Sequence, residues 1–132
     1  MEEALVSLLL NDSGLTSRVD NRVYWARRPQ DVSALPVITL FRVSAPRDYH
    51  MQGASGLVES RVQCDLFGAK YRETKLSARA LMAAINGYSG TFSGTQFQRI
   101  SIENERDTNE TESDAGRHLF RTSIDLLIWH DE

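Results

Sequence analysis

Between residues 57 and 88 the hydrophobic pattern changes period once, and that change constrains the fold more than any other stretch. Val58, Val62, Cys64 and Leu66 alternate with Glu59, Arg61, Gln63 and Asp65, the period of two expected of a strand with one buried face. After Gly68 the period becomes about 3.6. Tyr71, Ala78, Leu81, Met82 and Ile85 share one stripe, and Lys70, Arg72, Glu73, Lys75 and Arg79 take the other side. The spacing predicts a helix over about 69–87. Such a helix draws most of its stability from the surface it lies on, and the preceding strand with its sheet is the nearest support.

Upstream, Glu2 and Glu3 favour the positive end of a helix over 2–10. Leu5, Leu8 and Leu9 form its stripe and Asn11-Asp12 its stop. Residues 14–19 add one further turn. A brief strand at 22–26 carries Val23, Tyr24 and Trp25, followed by a loop to residue 35. Pro36 opens PVITLFRV, apolar or β-branched on both faces, which predicts a central strand covered on two sides. The polar, glycine-rich run at 44–56 is long for a hairpin connection. Either the flanking strands extend into a projecting arm or the segment is mobile.

Downstream of the helix, Asn86-Gly87 is a stop signal, 90–94 a loop, and 97–104 a weakly alternating strand with Ile100 and Ile102 on one face. An acidic loop is expected over 104–115. Between Glu103 and Asp114 six acids face the single Arg106. In the last strand Phe120, Ile124, Leu126 and Ile128 point inward and Arg121, Ser123 and Asp125 outward. Leu127 and Trp129 on the outer side call for a covering element or a partner near its end. The expected class is α+β. A mainly antiparallel sheet of about four to five strands carries the longer helix and the short N-terminal helix on one face.

A chain of 132 residues, 41% hydrophobic, is most simply one domain able to bury one core. Its net charge of −3 with mixed signs gives no electrostatic reason to hold nucleic acid. No apolar run approaches the roughly 18–20 residues that span a bilayer, and the acidic start lacks the basic region of a signal peptide. The lone Cys64 permits no internal disulfide and reads as a buried small hydrophobe.

Phosphate-binding, nucleophile-elbow and zinc-protease motifs are absent. His118 and His130 lie roughly 40 Å apart if strand joins them, at about 3.3 Å per residue. They cannot share a metal within one chain, and His50 reads as a solvated loop residue. Glu103, Glu105 and Asp107 are spaced like catalytic or cation-binding carboxylates, but nothing around them predicts the burial that tuning their pKa values requires. No active site, metal site or cofactor site is read from these residues.

The strings RVYWARRPQ, LPVITLFRVS, RDY, GLVESRVQCDLFGAKYRETKLSARALMAAINGYSG and RTSIDLLIWHDE follow one another along nearly the whole chain. In that order they resemble the tail completion, or tail terminator, family of long-tailed phages and gene transfer agents. The most telling features are the basic-plus-proline turn after a short strand, the aromatic that ends a strand before a Y-x-E-x-K helix, and the closing I-W-H. The resemblance implies an antiparallel sheet with helices on one face, and a virion structural protein without catalysis or cofactor. It also implies a hexameric ring at the head–tail junction, made in the host cytoplasm. Such a ring stacks on the tail tube protein, faces the head-side connector or stopper, and lets DNA pass without specific binding or any membrane.

A closing ring of small subunits is head-to-tail and needs complementary flanks, and its polar loops order on contact. Two segments are therefore expected at partners. The first is 45–56, with Arg47, Asp48, Tyr49, His50 and Met51. The second is 104–115 and its border, with Glu103, Glu105, Asp107, Glu110, Glu112 and Asp114, against a basic partner or the channel. An acidic channel wall repels DNA phosphates, since attraction needs Lys and Arg. Two other classes remain open on the residues alone. One is a small-ligand-binding or enzymatic α+β domain using His50, His118 and the acidic segment; the other is an adaptor that dimerises through sheet edges.

Overall fold

Alternation over residues 58–66 sets the register of the whole sheet. In a computed structural model describing residues 1–27, 34–112 and 117–131 (side chains of 109–112 and 117–118 excepted), the chain forms α1 (Glu2–Leu10), α2 (Ser13–Val19), β1 (Val23–Trp25), β2 (Val37–Ser44) and β3 (Arg47–His50). It continues with β4 (Gly53–Gly68), α3 (Tyr71–Ile85), β5 (Gly90–Phe92), β6 (Thr95–Glu112) and β7 (Arg117–Asp131). The sheet order is β1-β2-β4-β7-β6-β5, with β3 also on β4. Every pairing is antiparallel except that of β1 with β2.

The α+β class and the helix-on-sheet arrangement agree with the sequence. The strand number does not: seven strands form where about five are expected, and α2 is a helix of its own. Asp12 caps α2, its Oδ1 accepting from Leu15 N at 3.0 Å, so the expected stop of one helix is also the start of the next.

Val58, Val62, Cys64 and Leu66 of β4 are all buried. Val62, Cys64 and Leu66 join Ile38 and Leu40 of β2, Ile124, Leu126 and Ile128 of β7, and Ile100 of β6 in one core. Against this face pack Leu5, Leu8 and Leu9 of α1, Leu15 and Val19 of α2, and Ala78, Leu81 and Ile85 of α3. The α3 stripe differs at its start. Tyr71 is exposed, and Thr74 and Ser77 take the buried positions of the first turns, with Thr74 Oγ1 donating to Lys70 O at 2.9 Å. The strand-to-helix corner depends on Gly68, where a Cβ would lie 2.2 Å from Thr74 Oγ1.

β2 is not a central strand covered on both faces. It lies second from the edge, its inner face is buried by Ile38 and Leu40, and on the other side Phe41 is 56% and Val43 52% exposed. Residues 90–94 form β5 and a tight turn rather than a loop. The 44–56 run takes the first of its two alternatives: β3 and the start of β4 make a projecting hairpin closed at Met51-Gln52. The expected acidic loop is strand as far as Glu112, because β6 stays paired with β7 from Phe97↔His130 to Glu112↔Arg117.

Candidate assembly surface

Two β-hairpin arms leave opposite ends of the sheet. Through β4 as ruler, the first arm lies where Arg47 pairs with Val58 and His50 with Gly53. The second lies beyond the far end of β4, where Gly68 meets Phe120 and β6 continues alone with β7. The first arm carries Arg47, Asp48, Tyr49, His50 and Met51, all exposed, with Tyr49 at 69% and Met51 at the turn fully in solvent. Its internal ties are local. Ser55 Oγ donates to Asp48 O at 3.1 Å, Gln52 N to His50 Nδ1 at 3.2 Å, and Arg47 Nη1 to Ala45 O at 2.7 Å.

At the base of this arm His130 is buried opposite Val58. Its Nδ1 meets Asp131 O at 2.8 Å and its Nε2 meets Ser60 Oγ at 2.7 Å. A neutral ring satisfies both contacts when Nδ1–H donates and Nε2 accepts from the serine hydroxyl. Burial pushes its pKa below the ordinary value, and the Asp131 carbonyl only partly opposes this.

The second arm is tied to the body. Glu103, Glu105 and Asp107 read as neighbours on one face, but a bulge between Ile102 and Asn104 divides them. Glu103 turns to the outer side, 3.6 Å from Arg61 Nη1. Glu105 and Asp107 fall opposite Ile124 and Thr122 on the helix side. There Lys75 of α3 reaches Glu105 Oε1 at 2.9 Å and Asp107 Oδ1 at 3.2 Å. Thr122 Oγ1 donates to Asp107 Oδ1 at 2.9 Å, and Tyr71 stands edge-on to Phe120. Burial pushes the Asp107 pKa up, but the Thr122 and Lys75 hydrogen bonds and the ammonium charge outweigh it and hold the carboxyl below its usual value. These carboxylates are anchors of the arm rather than a solvated cluster. Glu110 and Glu112 lie on the β6 backbone with undescribed side chains, and Asp114 lies outside the described residues, as do the side chain of His118 and residues 28–33.

Around Asp65 and Asp125 the outer face of the sheet is polar and internally paired. Asp65 accepts from Ser123 Oγ at 2.7 Å, Gln63 Nε2 at 3.0 Å and Arg121 Nη2 at 3.1 Å. Arg106 Nη1 donates to Asp125 Oδ2 at 2.7 Å. Beside the first arm an open groove of about 590 Å³ runs along Leu57, Arg99 and Trp129. Among the described residues no three His, Cys, Asp or Glu side chains are placed to hold a metal, and no helix is long and apolar enough to cross a membrane. Cys64 is fully buried and its thiol pKa is pushed up, first by burial and then by Asp65 and Asp125, which keeps it unreactive.

The sequence model of the tail completion protein gp17 family matches residues 3–131, nearly the whole chain. The chain belongs to that family. It is therefore a structural tail protein of a virion. Among solved structures it is similar to a chain described as "Virion of native gene transfer agent (GTA) particle", with a TM-score of 0.73 and 17% sequence identity over 100% of this chain and 95% of that one. At that identity the likeness shows a shared fold. No individually curated protein matches. Sequence reasoning missed Lys75 as the anchor of the second arm. Its partners lie about 30 positions away and on a face that the bulge alone sets.

Proposed function

We propose that this member of the tail completion family forms a closed ring, of six copies by resemblance, that caps the tail tube and joins it to the head-side connector. The ring would leave a channel through which DNA passes without specific binding. The observation that carries this reading is the family match across residues 3–131 in a subunit whose two arms leave opposite ends of one sheet. A head-to-tail ring needs distinct complementary surfaces on two flanks, and the arms supply them. The first arm, with Tyr49 and Met51 at its tip, meets a neighbouring subunit or the tube protein. The second, with Glu110 and Glu112 on its β6 backbone and Asp114 following in sequence, faces a basic partner or the channel.

Electron microscopy of particles from a producing strain lacking this gene, beside a complemented control, tests the reading. Unattached filled heads with absent or overlong tails, restored by complementation, are expected. Normally joined particles would overturn it. Removing the tip at 50–53 should leave a folded chain that no longer joins heads to tails. Replacing Glu110, Glu112 and Asp114 by Gln and Asn should alter joining or DNA delivery, and an unchanged titre would remove the second arm from that role.

A further inference from the structure

Among the described residues two long strand edges are unpaired, and they lie on opposite flanks. On one flank β1 covers β2 only at Ile38–Leu40, with Ala26 N donating to Leu40 O as the last backbone bond on that side. From Phe41 through β3 no described strand pairs with the far side. On the other flank β5 covers β6 only from Thr95 to Phe97. Gly87 N and Tyr88 O bond Ile100, and from Ile102 to Glu112 the far side is again without a described strand. The remaining edges are blunted by shortness, since β1 and β5 are three residues each, a common protection against stray pairing. Among the described residues no strand covers the two long edges over most of their length.

We propose that the open edge of β6 in one copy pairs, antiparallel, with the open edge of β2 and β3 in the next, so that the sheet continues from subunit to subunit. This rests on the ring reading and names the surfaces that close it. Strand direction permits it. β2 and β3 run antiparallel to β4, β7 runs antiparallel to β4, and β6 antiparallel to β7. β6 therefore opposes β2 and β3 in direction, and the same alternation carries across the junction.

The charges carried by the two strands favour this pairing over a self-pairing, to the extent that Arg61 and Lys75 on one side and Glu2 on the other leave them uncompensated. Over 102–108 Glu103, Glu105 and Asp107 outnumber Arg106, and over 41–50 Arg42 and Arg47 outnumber Asp48. Two β6 edges face to face would set like charges opposite one another, which is unfavourable. Register adds a constraint. The open part of β2 and β3 lies alongside Gly53 to Gln63 of β4, whereas that of β6 begins level with Val62 and runs past Gly68. Neighbours must then be offset along the strands, as the tilted strands of any closed barrel are. The bulges at Val43 and Glu103, with Pro46, divide each edge into short ladders and restrict it to a matching partner.

Cross-linking tests the edges directly. In a Cys64→Ala chain, Val43→Cys or Asp48→Cys is placed on one edge and Asn104→Cys or Thr108→Cys on the other, and a short bis-thiol reagent is applied in solution and to assembled particles. A mixture of one chain from each edge should give about tenfold more cross-linked dimer than either chain alone, what ~1.4 kcal/mol of preference supplies. Asn109→Pro serves as the second variant. Outward backbone groups at Ile100 and the bulge put residue 109 among those whose amide faces the open side, so proline removes a donor there without touching the β7 ladder. It should keep its Tm and lose the cross-link.

Equal or greater coupling within one edge type, unchanged coupling in Asn109→Pro, or no coupling in solution or in particles that contain the chain would each overturn the edge pairing. Particles from which the chain is missing would strike the ring reading instead and leave the solution mixture to decide the edges.

Discussion

The two arms are built from the same element and held in opposite ways. The β3–β4 arm presents Tyr49 and Met51 on a hairpin in which Gln52 N donates to His50 Nδ1 and Ser55 Oγ to Asp48 O. The base of the β6–β7 arm is fastened to α3 by Lys75 through Glu105 and Asp107, and to its own partner strand by Thr122–Asp107 and Arg106–Asp125. The exposed tip of the first arm contrasts with a second arm whose base is fixed by charged contacts to α3. In a head-to-tail contact such a division lowers the ordering cost on one side only.

The widest test of that contrast is a change both arms share. Leu66 is fully buried in β4, two residues before Gly68, in the core that both ends of the sheet share. Leu66→Ala should cost about 2–5 kcal/mol in denaturant unfolding and raise amide exchange in both arms together. Arms that open independently in this variant would break the notion of a common base.

Acid should separate the arms in order. His130, under the first arm, has a folded pKa below its ordinary 6.5, so the unfolded chain binds the proton more readily. Its contribution to stability is present above about pH 6.5 and is lost as pH falls toward the folded value. Asp107, at the base of the second arm, lies below its ordinary 3.8. Its contribution holds above that pH and disappears as pH falls through the depressed folded value. Amide exchange followed from pH 7 downward should therefore rise first around Val58 and Ser60, and around 105–107 only in stronger acid. The reverse order would contradict the assignment.

Lys75→Gln should loosen the second arm alone. A loss of about 1 kcal/mol or less is expected, as for partly exposed ion pairs, with faster exchange at 104–108 and none added at 47–55. Met51→Ser is the mildest change for the isolated chain. Its Tm should match the parent, yet particle joining should fall, and a chain that assembles normally would leave the first arm without a contact role.

The inner half of the sheet is legible in the sequence because burial on one face writes a period of two. Val58 to Leu66 and Ile124 to Ile128 show it directly, and α3 shows the matching helical stripe. The arms are not legible for the converse reason. Residues 104–108 are exposed throughout, so no hydrophobic alternation marks them, and Asn, Glu and Asp are poor strand formers. Only their pairing with β7, far along the chain, makes them strand. Phe41 and Val43 mislead in the other direction. They look like the second buried face of a central strand, but nothing among the described residues covers them. Of the two segments expected at partners, 45–56 takes the arm alternative, and 104–112 is strand where a loop is expected.

The bulge at Glu103 gives the second arm slack. Asn104 already faces Asp125 and Ile102 already faces Leu126, so the ladder holds one residue more than it needs. A chain lacking Glu103 would close into a regular ladder with Glu105 and Asp107 still opposite Ile124 and Thr122. Loss of Arg106 could likewise be absorbed by straightening the bulge, leaving everything from Asp107 to the tip in place. The arm thus has a built-in tolerance to length change, and its reach can drift through small deletions while its far end stays in register with whatever it touches.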